Sequence, residues 1–354
     1  MIVDNCFEII SAETEPVQML NQLILRENRP EMSMEDSMGY LGKKTLLSAF
    51  AAVTMTFAAA EAKAQDFINI LTGGTSGVYY PMGVALEKIY SGIPNARPSV
   101  QATKASIENI NLINSGRGEL GFTLGDSLRD AWEGNEEAGF KKKLENISTL
   151  AAIYPNYVQI VASKESGIKT LADLKGKRLS VGAPKSGTEL NAKTILHAAG
   201  LSYDDLGKVE YLPFAESVEL MKNRQLDATL QSSGLGVASL RDLANAVEIN
   251  VVEVPADIIE KIGAPYLVNT IPANTYSGQD KDVTTASVIN YLIVRPDMDE
   301  ELVYQMTKGL FENLDQLAAA HSAAKMIKLD KNTIVSPTPI HPGAMRYYKE
   351  KGIE

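Results

Sequence analysis

One stretch constrains the fold more than any other: Phe67-Ile68-Asn69-Ile70-Leu71-Thr72-Gly73-Gly74-Thr75-Ser76-Gly77-Val78-Tyr79-Tyr80-Pro81. An apolar run of strand type breaks into a glycine-rich loop. Met82, Ala85, Leu86, Ile89 and Tyr90 then recur at i, i+3, i+4, i+7 and i+8, the spacing of one helical face. Strand, glycine loop and helix start are one way to make an anion site. The first turn of a helix has N–H groups without intrahelical partners, and the dipole places partial positive charge there. Gly74 and its neighbours let a ligand approach the backbone. Thr75 and Ser76 add hydroxyls, and Tyr79 and Tyr80 add aromatic walls with polar tips. The loop matches neither the phosphate loop nor the dinucleotide fingerprint, and taken alone it is equally a tight turn before a helix.

The same device recurs. Residues 100–103 read as a short strand, after which Ser106 N-caps a helix carrying Ile107, Ile110 and Ile113. Residues 119–124 read as a strand, and Asp126 of Gly125-Asp126-Ser127 caps a helix running through Trp132. Three helix starts therefore stand at the carboxyl ends of strands, where open α/β sheets bind ligands. Residues 147–163 are apolar except for Tyr154-Pro155-Asn156-Tyr157, with the proline marking an edge or bend. This strand leaves one lobe and enters the next. There the sequence Gly182-Ala183-Pro184-Lys185-Ser186-Gly187-Thr188 follows a strand and opens a helix over 189–199. Leu190 and Asn191 stand where a phosphate loop needs Lys-Ser, so this is an anion or amide cradle, not a nucleotide site. Residues 227–230 form a strand ending in the loop Gln231-Ser232-Ser233-Gly234. Residues 256–275 carry the chain back to the first lobe. Asp299 caps a helix reaching to about Ala320, and the tail is extended, then helical, clamping the first lobe.

A net charge of −10 argues against nonspecific nucleic-acid binding. Cys6 is the only cysteine, so no disulfide, zinc or thiol-nucleophile framework exists. His197, His321 and His341 lie far apart and outside any metal spacing. Asp126 as a general base has no evident partner, and no Gly-x-Ser-x-Gly elbow occurs. No catalytic residue, metal or cofactor is expected. Met38-Gly39-Tyr40-Leu41-Gly42-Lys43-Lys44, an uncharged apolar core over 45–60 and Ala62-Lys63-Ala64 read as a secretory signal peptide over 38–64, cleaved near Ala64. Residues 1–37 are expected to be an over-extended, disordered N-terminus. The product expected is a soluble periplasmic monomer.

The ordered set of motifs resembles one family. The glycine loop at 73–80, Ser106-x-x-Asn109, Gly125-Asp126, Asp173-Leu174-Lys175-Gly176-Lys177-Arg178, Ser186-Gly187-Thr188 and His341-Pro342-Gly343 are similar to those of the TAXI family, the solute receptors of TRAP transporters. The resemblance implies an α/β, two-lobed type II periplasmic-binding-protein fold with the ligand cleft between the lobes. Lobe 1 would comprise residues 65–158 and 259–354, and lobe 2 residues 159–258. The implied ligand is a small carboxylate of the glutamate, glutamine or 2-oxoglutarate type, delivered to TRAP permease subunits. An ABC importer or a sensor-kinase partner is the alternative. Carried over by motif, the site holds Thr75, Ser76, Tyr79, Tyr80, Thr103, Ser106, Asn109 and Asp126, with Tyr154 near the hinge and Ser186, Gly187 and Thr188 opposite. Lys104, Lys185 and Gln231-Ser232-Ser233 depart from the family pattern. Either lysine can pair with a ligand carboxylate or stand as a solvated loop residue.

Overall fold

The computed structural model describes residues 65–353, so the signal peptide, its cleavage position and the reading of residues 1–37 lie outside the described residues. The first three strands are β1 (Asp66–Leu71), β2 (Ala96–Gln101) and β3 (Leu120–Leu124), and they pair in parallel in the order β2-β1-β3. Their connections carry α1 (Tyr79–Tyr90) and α2 (Ser106–Asn114), and α3 (Gly125–Glu133) follows β3. Met82, Leu86 and Tyr90 turn the inner face of α1 into the core, as their spacing requires.

The next strand, β4 (Ser148–Ser163), is 16 residues long and buried along nearly its whole length. A strand covered on both faces reads as a near-continuous apolar run, and this one does apart from a few polar residues such as Asn156 and Gln159. Pro155 does not end it. It lies opposite Ile289, next to a register shift in the partner strand, where a missing N–H is tolerated.

Beyond β4 come β5 (Arg178–Ser180), α4 (Gly187–Ala198), β6 (Lys208–Glu210), α5 (Phe214–Lys222), β7 (Ala228–Ser233) and α6 (Ala238–Ala246). β7, β5 and β6 form a second parallel set. The chain returns through β8 (Ile249–Val252), α7 (Ala256–Ile262), β9 (Leu267–Ile271) and β10 (Val283–Val294). The full sheet order is β2-β1-β3-β10-β4-β7-β5-β6, with β8 on β4 and β9 on β10. Two parallel α/β halves are thus joined by one antiparallel pair of long strands, β4 and β10.

Two expectations are corrected. Gln231, Ser232 and Ser233 are not a loop; they continue β7, paired with Gln159, Val158 and Tyr157. Part of that polarity is matched: Gln159 Nε2 donates to Ser233 and Ser239 Oγ donates to Gln231 Oε1, while Gln231 Nε2 and Ser232 Oγ are buried without a side-chain or backbone partner. The long helix after Asp299 is two helices, α8 (Glu300–Glu312) and α9 (Leu314–Ala320), divided at Asn313 with φ −128°.

The tail docks as expected. Ile340 bridges to Thr149, and α10 (Pro342–Glu350) packs Tyr347 parallel to Phe311 at 6.0 Å. His341 caps α10 through its Nδ1, and a Cβ on Gly343 would sit 2.2 Å from Glu300 O. The His-Pro-Gly motif is therefore a close helix crossing, not a ligand loop.

Candidate functional site

The loops at the carboxyl ends of the strands meet around a cavity of about 110 Å³. Five helices begin there. The residues immediately preceding α1, α2, α3, α4 and α5 are Val78, Ala105, Leu124, Ser186 and Pro213, and all five line the cavity. Each helix brings first-turn N–H groups without intrahelical acceptors and a partial positive charge. Only α4 has its cap made by a side chain, Ser186 Oγ accepting from Glu189 N at 3.1 Å. Lys104 is the single charged side chain in the lining, and it is exposed.

The loops are pinned from behind. Asn109 is buried under the first glycine loop and donates from Nδ2 to Thr72 O at 2.6 Å and Phe122 O at 2.8 Å. Thr103 Oγ1 lies 2.9 Å from Thr72 O, accepts from Ala105 N, and bonds Asn109 Oδ1 at 2.6 Å. This holds Ala105 at φ 69°, ψ −152°, a backbone region that is essentially glycine's. A second chain runs across the strands that join the halves. Tyr79 OH donates to Asn290 Oδ1, Asn290 Nδ2 donates to Asn156 Oδ1, and Asn156 Nδ2 donates to Ser232 O. Burial pushes the Tyr79 phenol far above its ordinary range, so it stays a neutral donor.

The two halves touch at the cavity wall. A Cβ on Gly187 would lie 2.6 Å from Ser106 Oγ and 2.6 Å from Leu124 Cδ1, closer than carbon tolerates. Only glycine lets the start of α4 approach the start of α2 this closely.

Nine of the residues singled out in the sequence line the cavity: Gly74, Tyr79, Thr103, Lys104 and Ser106 from one half, Ser186, Gly187, Thr188 and Ser232 from the other. Thr75, Ser76, Tyr80, Asn109, Asp126, Tyr154, Lys185 and Gln231 are not in the lining. Thr75 and Lys185 are exposed, and Ser76 and Tyr80 are half-buried. Asn109 and Gln231 act behind the wall. Tyr154 is wholly buried, with its hydroxyl unpartnered. Neither Ser106 nor Asp126 is an N-cap. Ser106 is already helical and its Oγ accepts from Leu124 N, whereas Asp126 lies in the first turn of α3.

The sequence reading missed Asn156, Phe214 and Ser233. Asn156 and Asn290 had a signal: each is a side-chain amide among mostly apolar neighbours in a buried strand. Phe214 had less, only a Pro-Phe pair before a helical pattern.

Asp126 belongs to a separate contact between the halves. Its Oδ2 accepts from Asn191 Nδ2 at 2.5 Å and from Tyr266 OH at 2.7 Å, and its Oδ1 accepts from Ser127 N at 2.8 Å. Burial pushes its carboxyl up to about 6, opposed by the Tyr266 hydrogen bond. The carboxylate borders a wider groove of about 880 Å³ between α3, α4 and α7. The lysines and the arginine of that groove have partners of their own. Lys193 reaches Glu137 O, Lys261 reaches Ala198 O, and Arg129 reaches Asp130 and Ala264 O. The smaller cavity, with its convergent helix starts, is the candidate site. Among the described residues no helix is long and apolar enough to cross a membrane.

The fold has known relatives. A periplasmic transporter of known structure aligns over 82% of this chain and 96% of its own, with 11% identity and a TM-score of 0.52. A protein from Bordetella bronchiseptica RB50 aligns over 80% and 89%, at 15% identity and a TM-score of 0.49. The alkanesulfonate-binding protein SsuA from Xanthomonas axonopodis pv. citri, bound to MOPS, aligns over 81% and 85%, at 15% identity and a TM-score of 0.45. The architecture is the two-lobed type II fold of periplasmic binding proteins, as the sequence led one to expect. A model of the NMT1-like family matches residues 70–352.

Proposed function

The chain belongs to the NMT1-like family, and from that premise we propose that it is an extracytoplasmic solute receptor without catalysis of its own. It holds a small carboxylate between lobe 1 (residues 65–158 and 259–354) and lobe 2 (residues 159–258), and it hands that ligand to a TRAP-type permease. The observation that carries the reading is the convergence of five helix starts, contributed by both lobes, on one small cavity. A carboxylate there meets N–H groups and hydroxyls from opposite sides at once, which favours the closed arrangement. Each hydrogen bond to a charged group contributes roughly 1.5–3 kcal/mol net, so a few reach micromolar binding at about −8 kcal/mol.

A thermal-shift screen tests it, with 2-oxoglutarate, glutamate, glutamine, C4 dicarboxylates and branched-chain oxo acids as the panel. At ~100 times its dissociation constant a ligand adds about 2.7 kcal/mol, several degrees for a chain of this size. A shift with one carboxylate supports the receptor. If no compound shifts the melt, and mass spectrometry of the denatured protein releases no small acid, the reading is wrong. Uptake of the same acid by vesicles bearing a TRAP permease, dependent on added receptor, tests the transporter class. Uptake that follows an ATP-driven importer instead replaces it.

A further inference from the structure

We infer that the cavity selects anions that only accept hydrogen bonds, such as a 2-oxo acid, and rejects the same skeleton carrying an ammonium group. This rests on the receptor reading and narrows its ligand. Four hydroxyls in the lining already accept from the protein. Ser106 Oγ accepts from Leu124 N at 3.1 Å, and Ser186 Oγ from Glu189 N at 3.1 Å. Thr188 Oγ1 accepts from Ser232 N at 3.4 Å, and Ser233 Oγ from Gln159 Nε2 at 3.0 Å. A hydroxyl that accepts in this way keeps its own proton to donate, and that of Ser106 is shared with the Tyr79 hydroxyl. Ser232 lines the same cavity and is 6% exposed, and its Oγ is buried behind the wall without a protein partner.

Hydroxyl oxygens are the remaining side-chain acceptors of the lining, and the stronger amide and carboxylate acceptors nearby are engaged. Asn156 Oδ1 takes a proton from Asn290 Nδ2 at 2.9 Å. Both oxygens of the buried Asp126 are committed to Ser127, Asn191 and Tyr266. The one charge in the lining is the cation of Lys104, and the helix starts add positive potential. A ligand ammonium placed here loses water, gains no carboxylate and faces like charge, whereas a carbonyl oxygen in its place accepts from the donors.

Titration calorimetry on the full chain, dialysed from denaturant to strip small molecules, decides it with three matched pairs. These are 2-oxoglutarate and glutamate, 2-oxoisovalerate and valine, and ethanesulfonate and taurine. The ammonium-free member of whichever pair binds should be at least tenfold tighter. Ser232→Ala should weaken that member about tenfold at an unchanged melting temperature, because the hydroxyl it removes bonds to nothing in the protein. Equal or tighter binding of the ammonium-bearing member overturns the selectivity and leaves the receptor reading standing. Binding by no member of any pair overturns the selectivity, and the wider panel with mass spectrometry then decides the receptor reading. A Ser232→Ala variant that binds as the parent does overturns the assignment of the donors to this cavity.

Discussion

Two contacts between the halves use the same chemistry with opposite results. At Asp126 a carboxylate from α3 is gripped by Asn191 of α4 and by Tyr266 from beyond α7. At the cavity, helix starts from both halves offer donors around an open volume. The first contact carries its own acceptor and acts as a fixed tie. The second leaves the anion to be supplied. The difference teaches where affinity for a solute can arise: donors already matched by a protein carboxylate contribute to stability, and donors facing the cavity contribute to binding.

Asp126→Ala should break the tie with the largest effect. It takes an acceptor from three donors, of which Asn191 Nδ2 keeps Tyr266 OH while Ser127 N and Tyr266 OH are left unpaired; at about 1–3 kcal/mol for each unpaired donor, stability read from denaturant unfolding should fall by roughly 2–5 kcal/mol. A loss within about 0.5 kcal/mol, the range of an ordinary surface substitution, would remove the tie from the fold.

The pH dependence sharpens the same contrast. The folded carboxyl of Asp126 is raised to about 6 from 3.8, so between those values the folded chain holds a proton that the unfolded chain has lost. Its stabilising contribution is therefore complete below about pH 4 and is lost as pH rises through about 6, a change on the order of 3 kcal/mol. The difference in stability between wild type and Asp126→Asn should shrink over that window. A difference independent of pH counts against a raised carboxyl.

On the cavity side, Ser186→Ala with Thr188→Ala should weaken carboxylate binding by about 1.5–3 kcal/mol, read by calorimetry. Loss of the Ser186 cap should lower stability by only ~1 kcal/mol. Unchanged affinity would take the second loop out of the site. Gly187→Ala should cost about 1–3 kcal/mol in the closed form through overpacking. Small-angle scattering should then show a larger radius with ligand present than for the parent, and equal radii would mean that the wall yields. The smallest effect is a gain. Ala105→Gly relieves the φ 69° backbone and should raise stability by about 1 kcal/mol, and a loss would show that the alanine is unstrained.

Much of this was legible in the sequence because it is local. The 3.6-residue spacing after Gly77 gives α1, the long apolar run gives β4, and Gly/Ser/Thr loops after strands give the helix starts. Nine cavity residues were named from those loops together with the family resemblance. The roles of Ser106 and Asp126 did not follow. Capping is decided by which backbone N–H lies nearest, and both side chains turned to partners 18 and 65 residues away. Asn156 and Phe214 were missed for the same reason.

What the sequence by itself determined is the alternation of strands, donor-rich loops and helices, since periodicity and loop chemistry act over a few residues. Only the tertiary structure decided which donors face a common space and which are spent on Asp126. That outcome depends on β4 and β10 pairing across the molecule and on Gly187 letting two helix starts meet. Long-range pairing and close packing are properties of the folded chain as a whole, and no local pattern encodes them.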